Sequence, residues 1–254
     1  APSPGPCASP GGGVWRLNGM DKAHQIKQIG YSNMLFEAIL FDCDGVLVDS
    51  EHITNRALHT MLNASGWAIS EAECLQIFIG KTVRSETARI ERETGQPLTD
   101  AWMAAFYALR DQGLHAHLQA IPGAVAAVQQ CHALLGGKIA VASGADKAKV
   151  LMQLDKVGLL PLFDPHIFSG HDLPRTKPFP DVYLAAAASL QRDPRRCLVI
   201  EDALPGLQAG LAAGATVWGY CPWEGGHTTP EALLAAGAQR VLRDMAELPG
   251  LLRH

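Results

Sequence analysis

The sequence of 254 residues predicts an α/β fold, in which a doubly wound parallel sheet carries an inserted α-helical segment. Two observations lead to this prediction. Short apolar runs alternate with patterns of helical period over most of the chain, as in strands joined by crossover helices. Between residues 51 and 119, however, only helical patterns are present. The chain therefore combines a Rossmann-like core with a separate helical module.

The first 33 residues are excluded from this fold. The opening letters, APSPGPCASPGGG, are rich in proline and glycine and have almost no apolar period, which indicates a disordered leader or one derived from an expression vector. Met20 and Met34 are both plausible natural starts. The predicted core therefore begins at residue 34.

Five apolar runs are predicted to form the strands. The first, residues 35–41, ends abruptly in the letters DCDG, so that two carboxylates follow the carboxyl end of a buried strand. Ligands of such sheets bind beyond the carboxyl ends of the strands, where each motif described below lies. The other predicted strands are residues 138–142, 166–169, 197–201 and 216–220.

The intervening helices are indicated by proline or glycine near their ends. The predicted core helices are residues 124–135, 146–157, 181–190 and 205–213.

Residues 51–119 are predicted to form a helical cap domain, and residues 34–50 and 120–254 the core. The cap leaves the core directly after the paired aspartates, so its two linkers could act as a hinge over the site. The alternative is that the module is only a structural embellishment. Its predicted helices are residues 52–64, 71–79, 83–94 and 100–113.

The charge, apolar runs and cysteine content of the sequence limit the classes of partner that the protein is expected to bind. A formal charge of −4, without a long block of Lys and Arg, argues against nucleic acid, and no apolar run is long enough to span a bilayer. Six scattered cysteines without a CxxC pair indicate reduced thiols in a cytoplasmic protein. His115 and His117 lack partners at ligand spacing and are read as an exposed linker. The expected partner is a small molecule, bound by a monomer or weak homo-oligomer.

Paired carboxylates follow two of the predicted strands. Asp42 and Asp44 would repel each other at a strand end, and this repulsion is relieved if a cation binds. Glu201 and Asp202 form a second pair at the end of another strand. Oxygen ligands without neighbouring Cys or His favour Mg²⁺ over zinc. The structural alternative for each pair is a solvated strand end or a helix cap.

A hydroxyl, a glycine turn and an ammonium accompany these carboxylates. Ser143 and Gly144 follow the second core strand, and Lys177 lies in the letters TKPFPD before a helix. Such groups can bind the non-reacting oxygens of a phosphoryl group. Alone, either motif would indicate only a turn.

The motifs FDCDGVLVDSE, VASG, KPFPD and IEDALPGLQAGLAAG occur in the order that is typical of the haloacid-dehalogenase superfamily. The chain resembles its phosphoglucomutase-like branch with a helical cap, and the nearest likeness is to bacterial sugar-phosphate phosphatases of the 6-phosphogluconate type. The resemblance implies a Mg²⁺-dependent phosphatase that forms an aspartyl-phosphate. Dehalogenation is not expected, because dehalogenases of this superfamily generally lack the second aspartate.

The resemblance also implies roles for individual residues. Asp42 would be the nucleophile, and Asp44 would protonate the leaving oxygen and then activate water. Ser143, Gly144 and Lys177 would bind the phosphoryl group. The ligands of Mg²⁺ would be Asp42, the main-chain carbonyl of Asp44, and Asp202, with Glu201 near or in its shell.

Two other functions stay open. Phosphohexomutases of the β-phosphoglucomutase type share these motifs but usually carry a cap histidine where Thr54 stands; His52 lies two positions earlier, and Arg84 is one position from the mutase arginine. A catalytically silent protein that binds phosphometabolites is the other possibility. Within the cap, Glu51, Lys81 and Arg84 are candidates for binding the distal part of the substrate.

Overall fold

The structure, a computed structural model, describes residues 34–78, 81–223 and 228–253. The predicted leader, residues 1–33, and the end of the predicted helix 71–79 lie outside the described residues.

The described residues form a six-stranded parallel sheet with the order β3-β2-β1-β4-β5-β6. This arrangement confirms the predicted α/β class. Strand β1 lies between β2 and β4, so its carboxyl end is near the middle of the sheet edge. The last strand was not predicted. The strands are β1 Ala38–Phe41, β2 Ile139–Ser143, β3 Ile167–Ser169, β4 Cys197–Glu201, β5 Thr216–Tyr220 and β6 Arg240–Leu242.

Of the five α-helices between β1 and β2 in the described chain, the first four share a hydrophobic cluster that includes Leu62, Ile90 and Phe106. The predicted helix 83–94 is divided, because a 3₁₀ turn at Arg84–Glu86 precedes its α-helical part. The four helices are α1 Glu51–Ala64, α2 Glu71–Phe78, α3 Thr87–Thr94 and α4 Asp100–His117.

The predicted end of the last of these helices is wrong. Helix α4 continues through Gly113, where an added Cβ would lie 2.8 Å from the Ile53 side chain. The glycine therefore permits close approach of α1 and does not end the helix. His115 and His117 are exposed in the last turn of α4, which corrects their reading as a linker.

The two segments that join these helices to the sheet are hydrogen-bonded to each other. The Asp49 amide donates to the Gln119 carbonyl at 3.0 Å, and the Ile121 amide donates to the Leu47 carbonyl at 3.0 Å. Leu114 of α4 also belongs to the cluster that covers the sheet. A cap that begins at residue 51 and ends at 119 therefore stays a prediction.

Alternate residues of β1 pack into different clusters, as a sheet covered on both faces requires. Ile39 and Phe41 belong to one cluster, and Ala38 and Leu40 belong to the other. No helix of the described chain is long and apolar enough to cross a membrane. The remaining helices are α5 Ala124–Leu134, α6 Lys147–Lys156, α7 Leu160–Phe163, α8 Asp181–Ser189, α9 Leu204–Ala212, α10 Pro230–Ala235 and α11 Leu248–Leu251.

Candidate active site

Asp42 is buried directly after β1, where its carboxylate meets Lys177. Its amide donates to the Ile200 carbonyl of β4 at 3.0 Å, which holds the backbone beyond the end of the strand. Lys177 Nζ lies 2.6 Å from Asp42 Oδ1. Burial raises the pKa of Asp42 to about 7, although the charge of Lys177 lowers it. A buried carboxylate with one face against an ammonium is thus placed at the centre of the sheet edge.

Lys177 is held by a second carboxylate. Its Nζ donates to Glu201 Oε1 at 2.6 Å and lies 5.0 Å from the centroid of the Tyr183 ring. The Tyr183 hydroxyl donates to the same Glu201 oxygen at 2.9 Å, and the Ala203 amide donates to the other oxygen at 3.1 Å. Burial would lower the pKa of Lys177, but Asp42 and Glu201 raise it well above its ordinary value. Lys177 therefore stays a cation.

Asp42, Glu201 and Asp202 converge, and each offers one carboxylate oxygen within 4.8 Å of the others. Burial, followed by the charges of Glu201 and Asp42, raises the pKa of Asp202 well above its ordinary value. A carboxylate that is hard to ionise in its own surroundings indicates negative charge that the neighbouring ammonium does not balance. Hard oxygen donors with excess negative charge fit a divalent cation such as Mg²⁺. This acidic cluster could therefore hold a metal ion.

Two glycines make room for these carboxylates. Gly45 has φ +78°, and an added Cβ would lie 2.1 Å from Asp202 Oδ2. At Gly206, in the first turn of α9, an added Cβ would lie 1.5 Å from Glu201 Oε1. Gly206 lies within the predicted helix 205–213, where the sequence indicates no reason for a glycine. The structure shows that the absence of a side chain allows the acidic group to pack.

The carboxylate of Asp44 points to a different set of partners. Asp44 Oδ1 accepts hydrogen bonds from the Ser50 hydroxyl, from Lys149 Nζ at 2.8 Å and from Gln153 Nε2 at 2.9 Å. Burial alone would raise the pKa of Asp44, but the charge of Lys149 and these hydrogen bonds lower it to about 2. Lys149 and Gln153 of α6 were not predicted. Their spacing of four residues places both on one face of that helix.

Ser143 and Gly144 lie at the carboxyl end of β2. The Ser143 hydroxyl is buried and accepts a hydrogen bond from the Ala145 amide at 3.0 Å. Gly144 is exposed, and an added Cβ would meet no atom within 4 Å. The two residues open onto the same cavity as Asp42, which is the arrangement expected from their order in the sequence.

This cavity has a volume of about 770 Å³. Its lining includes the acidic residues and side chains of helices α1, α2 and α4. Glu51 and Lys81 line it, and their role in substrate binding stays a prediction. Arg84 is not among its lining residues. Its guanidinium instead donates to Asp100 at 2.7 Å on an exposed surface, so the prediction for Arg84 has no support from its position.

Cys43 packs behind the aspartates, as expected from strand alternation. It is buried, and its thiol donates to Gln153 Oε1 at 3.6 Å. Burial and then the charges of Asp44 and Asp42 raise its pKa well above the ordinary value. The thiol is therefore held in its unreactive, protonated form.

A parallel sheet with a buried aspartate after its central strand, opposite a lysine and a cluster of acids, defines a class of hydrolase. Residues 36–214 match the family model of the haloacid dehalogenase-like hydrolases, and the chain belongs to this family. The predicted superfamily is thereby confirmed, and the protein is a hydrolase.

Three known proteins illustrate the similarity. The 6-phosphogluconate phosphatase of Escherichia coli K12 is 31% identical over 186 residues, which cover 73% of this chain and 82% of that protein. A HAD-family hydrolase from Deinococcus radiodurans R1, solved with bound phosphate and sodium, is 32% identical with a TM-score of 0.72; the match covers 86% and 98% of the two chains. A β-phosphoglucomutase-like structure from Thermotoga maritima has 23% identity, a TM-score of 0.69 and coverage of 85% and 97%, and shares the fold.

Proposed function

We propose that the protein is a Mg²⁺-dependent phosphatase that hydrolyses a small phosphorylated metabolite, a sugar or sugar-acid phosphate, through an aspartyl-phosphate on Asp42. The observation that carries this proposal is the buried Asp42 carboxylate, 2.6 Å from Lys177 Nζ, at a cavity that Ser143 and Gly144 also line. The named activity of the E. coli relative supports the substrate class. The volume of the cavity, about 770 Å³, is sufficient for a small metabolite.

In the first step, Asp42 attacks phosphorus and the bond to the leaving oxygen breaks. Lys177, fixed by Glu201, and the hydroxyl of Ser143 bind the oxygens that do not react. The amide of Gly144 is proposed to add a third donor. The interactions of a fixed ammonium and a buried hydroxyl with phosphoryl oxygens are stronger here than in water, because the site has a low dielectric constant.

The residues that would hold Mg²⁺ are Asp42, Asp202 and the main-chain carbonyl of Asp44, with Glu201 at the edge of the shell. When bound, the ion offsets the repulsion between the anionic carboxylate and the anionic phosphate. The carboxylate group of Asp44 does not belong to the convergent cluster, and proton transfer is its proposed work.

Asp44 is proposed to give a proton to the leaving oxygen and then to accept one from the water that attacks the phosphorus of the intermediate. This second attack restores Asp42 and releases inorganic phosphate. The two aspartates therefore have different proposed roles. Asp42 takes part in the covalent steps, and Asp44 takes part in the proton transfers.

The mutase alternative is weakened by the position of Thr54. Thr54 lines the cavity, and its hydroxyl is buried without a hydrogen-bond partner in the described residues. His52 is exposed and is not among the lining residues. The described helices thus place a threonine where a mutase would have a histidine, which favours water as the phosphoryl acceptor.

The decisive experiment is a phosphate-release screen with purified protein over sugar phosphates, sugar-acid phosphates, nucleotides and phosphoglycolate. We expect stoichiometric phosphate with Mg²⁺, no need for a bisphosphorylated sugar, and no release in excess chelator. Conversion of glucose 1-phosphate to glucose 6-phosphate with little free phosphate would establish the mutase. Tight binding of phosphorylated ligands without any turnover would establish a silent binding protein.

A further inference from the structure

We propose that Lys149 and Gln153 are positioning residues that hold the carboxylate of Asp44 for its acid-base work. This inference depends on the proposed function of Asp44, but nothing in the family match assigns a role to either residue. Both residues belong to helix α6, which contacts Asp44 although it is distant from it in sequence.

The two contacts are buried and converge on one oxygen. Lys149 Nζ lies 2.8 Å and Gln153 Nε2 lies 2.9 Å from Asp44 Oδ1. The Lys149 side chain is 8% exposed, and Gln153 is completely buried. A buried ammonium is unfavourable without an anion beside it, and Asp44 supplies that anion.

The donors are themselves anchored. The Gln153 carbonyl accepts the thiol hydrogen of Cys43, which directs its amide group towards Asp44. Helix α6 begins at the cap residue Asp146, whose Oδ1 accepts from the Lys149 amide at 2.9 Å. The other oxygen of Asp146 lies 3.4 Å from Arg110 of α4. The carboxylate of Asp44 is therefore restrained by helix α6, which is itself held in place by these contacts.

This restraint matters because Asp44 is next to a turn. Gly45, with φ +78°, follows it, and the side chain could otherwise adopt several rotamers. A general acid must come within about 3 Å of the leaving oxygen, and misplacement by about 1 Å can cost about 10²-fold in rate. Three donors, with Ser50 as the third, limit the positions that the carboxylate can take.

The simpler alternative is that the Lys149–Asp44 pair only stabilises the fold. The two roles differ in how the loss depends on the leaving group. If Asp44 is misplaced, departure of a sugar oxygen suffers more than departure of an aryl oxygen, which needs less protonation. A structural defect would slow both reactions alike.

The test compares first-turnover rates for 6-phosphogluconate and 4-nitrophenyl phosphate in Lys149→Met and Gln153→Leu. We expect the rate for the sugar acid to fall about 10–100-fold and the aryl rate to fall less than about threefold. Lys149→Arg, which keeps the charge, should recover part of the sugar-acid rate. Lys147→Met is the matched control, because Lys147 is exposed on the same helix and should change neither rate.

A double-variant cycle isolates the dependence on Asp44. In the Asp44→Asn background, Lys149→Met should add less than about twofold to the loss, because the group that it positions is already inactive. Equal losses for both substrates, or additive losses in the cycle, would overturn the proposal. If Lys149→Met does not fold by circular dichroism, Gln153→Leu and Lys149→Arg decide in the same way. Failure of the proposed function would show separately, as an Asp44→Asn protein with an unchanged sugar-acid rate.

Discussion

Asp42 and Asp44 are separated by one residue, yet their surroundings shift their pKa values in opposite directions. Burial raises the pKa of Asp42 to about 7, and the contact with Lys149 contributes to lowering the pKa of Asp44 to about 2. The Asp42 carboxylate faces other acids as well as Lys177, whereas the Asp44 carboxylate faces donors only. A residue type and a spacing therefore do not determine a chemical role. The partners brought in by distant segments do.

Substitution by asparagine should separate the two aspartates. Asp42→Asn should abolish turnover, because an amide cannot form the acyl-phosphate. Asp44→Asn should lose about 10²–10⁴ in rate with a sugar phosphate. With an aryl phosphate it should release phenol in a burst near one per site, followed by a slow steady rate, because the intermediate waits for an activated water.

Stopped-flow detection of phenol measures the burst, and rapid quench with a phosphorus-labelled substrate should locate the label on Asp42. Equal losses in both variants with every leaving group, and no trapped label, would contradict the roles assigned to the pair.

Gly206→Ala should be destabilising, although alanine in a helix is usually favoured over glycine by about 1 kcal/mol. The new Cβ would lie 1.5 Å from Glu201 Oε1, so Glu201 must move away from Lys177 and Tyr183. We expect a loss of about 1–3 kcal/mol in the free energy of unfolding and reduced phosphate release. Urea denaturation measures the free energy of unfolding. Gly250→Ala is the control, because an added Cβ there meets no atom within 4 Å. A stabilised Gly206→Ala protein with full activity would contradict this prediction, because it would show that Glu201 can move aside without loss of stability or function.

Most motif residues were predictable because they lie at or directly after the end of a strand that is apolar enough to recognise. Asp42, Ser143, Glu201 and Asp202 come together because parallel strands end at one edge. Lys149 and Gln153 were missed, since their contacts with Asp44 join residues 105 and 109 positions apart. Such pairs have no local pattern. Arg84 was chosen for its charge, and only the structure shows that Asp100 binds it.

At the scale of elements, helices α1, α2 and α4 provide one wall of the cavity. Lys81, which follows α2, lines this wall and also pairs with Glu86 at 2.9 Å. We expect Lys81→Met to raise KM for an anionic sugar-acid phosphate about 2–5-fold with little change in kcat, because a partly exposed charge contributes at most about 1 kcal/mol. Arg84→Met should leave KM unchanged. Steady-state kinetics of the two variants measure this difference, and a similar increase in both would mean that the effect is general electrostatic attraction.

Element boundaries were less predictable than element types. The predicted core strands are all present, but the three-residue strand β6 was missed because its run is too short to show a period. The glycine at position 113 resembled a helix end, and only the position of Ile53 explains why α4 continues. Close approach between helices and the end of a helix use the same residue, so the sequence alone does not distinguish them.

At the scale of the whole molecule, the acidic cluster should make stability depend on both pH and metal. The pKa of Asp42 is higher in the folded protein, about 7, than its ordinary value of 3.8. Such a group stabilises the folded state at low pH, and that contribution is lost as the pH rises through this interval. We expect the metal-free protein to lose stability between about pH 4 and pH 7. The lowered pKa of Asp44 acts only at more acidic pH and does not oppose this trend.

Mg²⁺ should remove most of this loss, because it offsets the charge that makes ionisation unfavourable. At about 100 times its dissociation constant, a ligand of the folded state alone adds about 2.7 kcal/mol. Urea denaturation from pH 4.5 to pH 8, with chelator or with Mg²⁺, measures both effects. Asp202→Asn should be more stable than the original protein without metal and should respond weakly to Mg²⁺. Identical curves with and without Mg²⁺ would exclude a metal site at this cluster.

The central position of β1 also bears on how the chain folds. Its pairing with β2 joins Ile39 to Ile139, and its pairing with β4 joins Ala38 to Cys197. Strand β1 can therefore pair only after residues about 100 and 160 positions later have been made. Contacts so distant in sequence make folding slow. During synthesis, Asp42, the proposed nucleophile, leaves the ribosome long before Glu201 and Asp202. No nascent chain that ends before β4 can carry the assembled site, so activity should be acquired late and all at once.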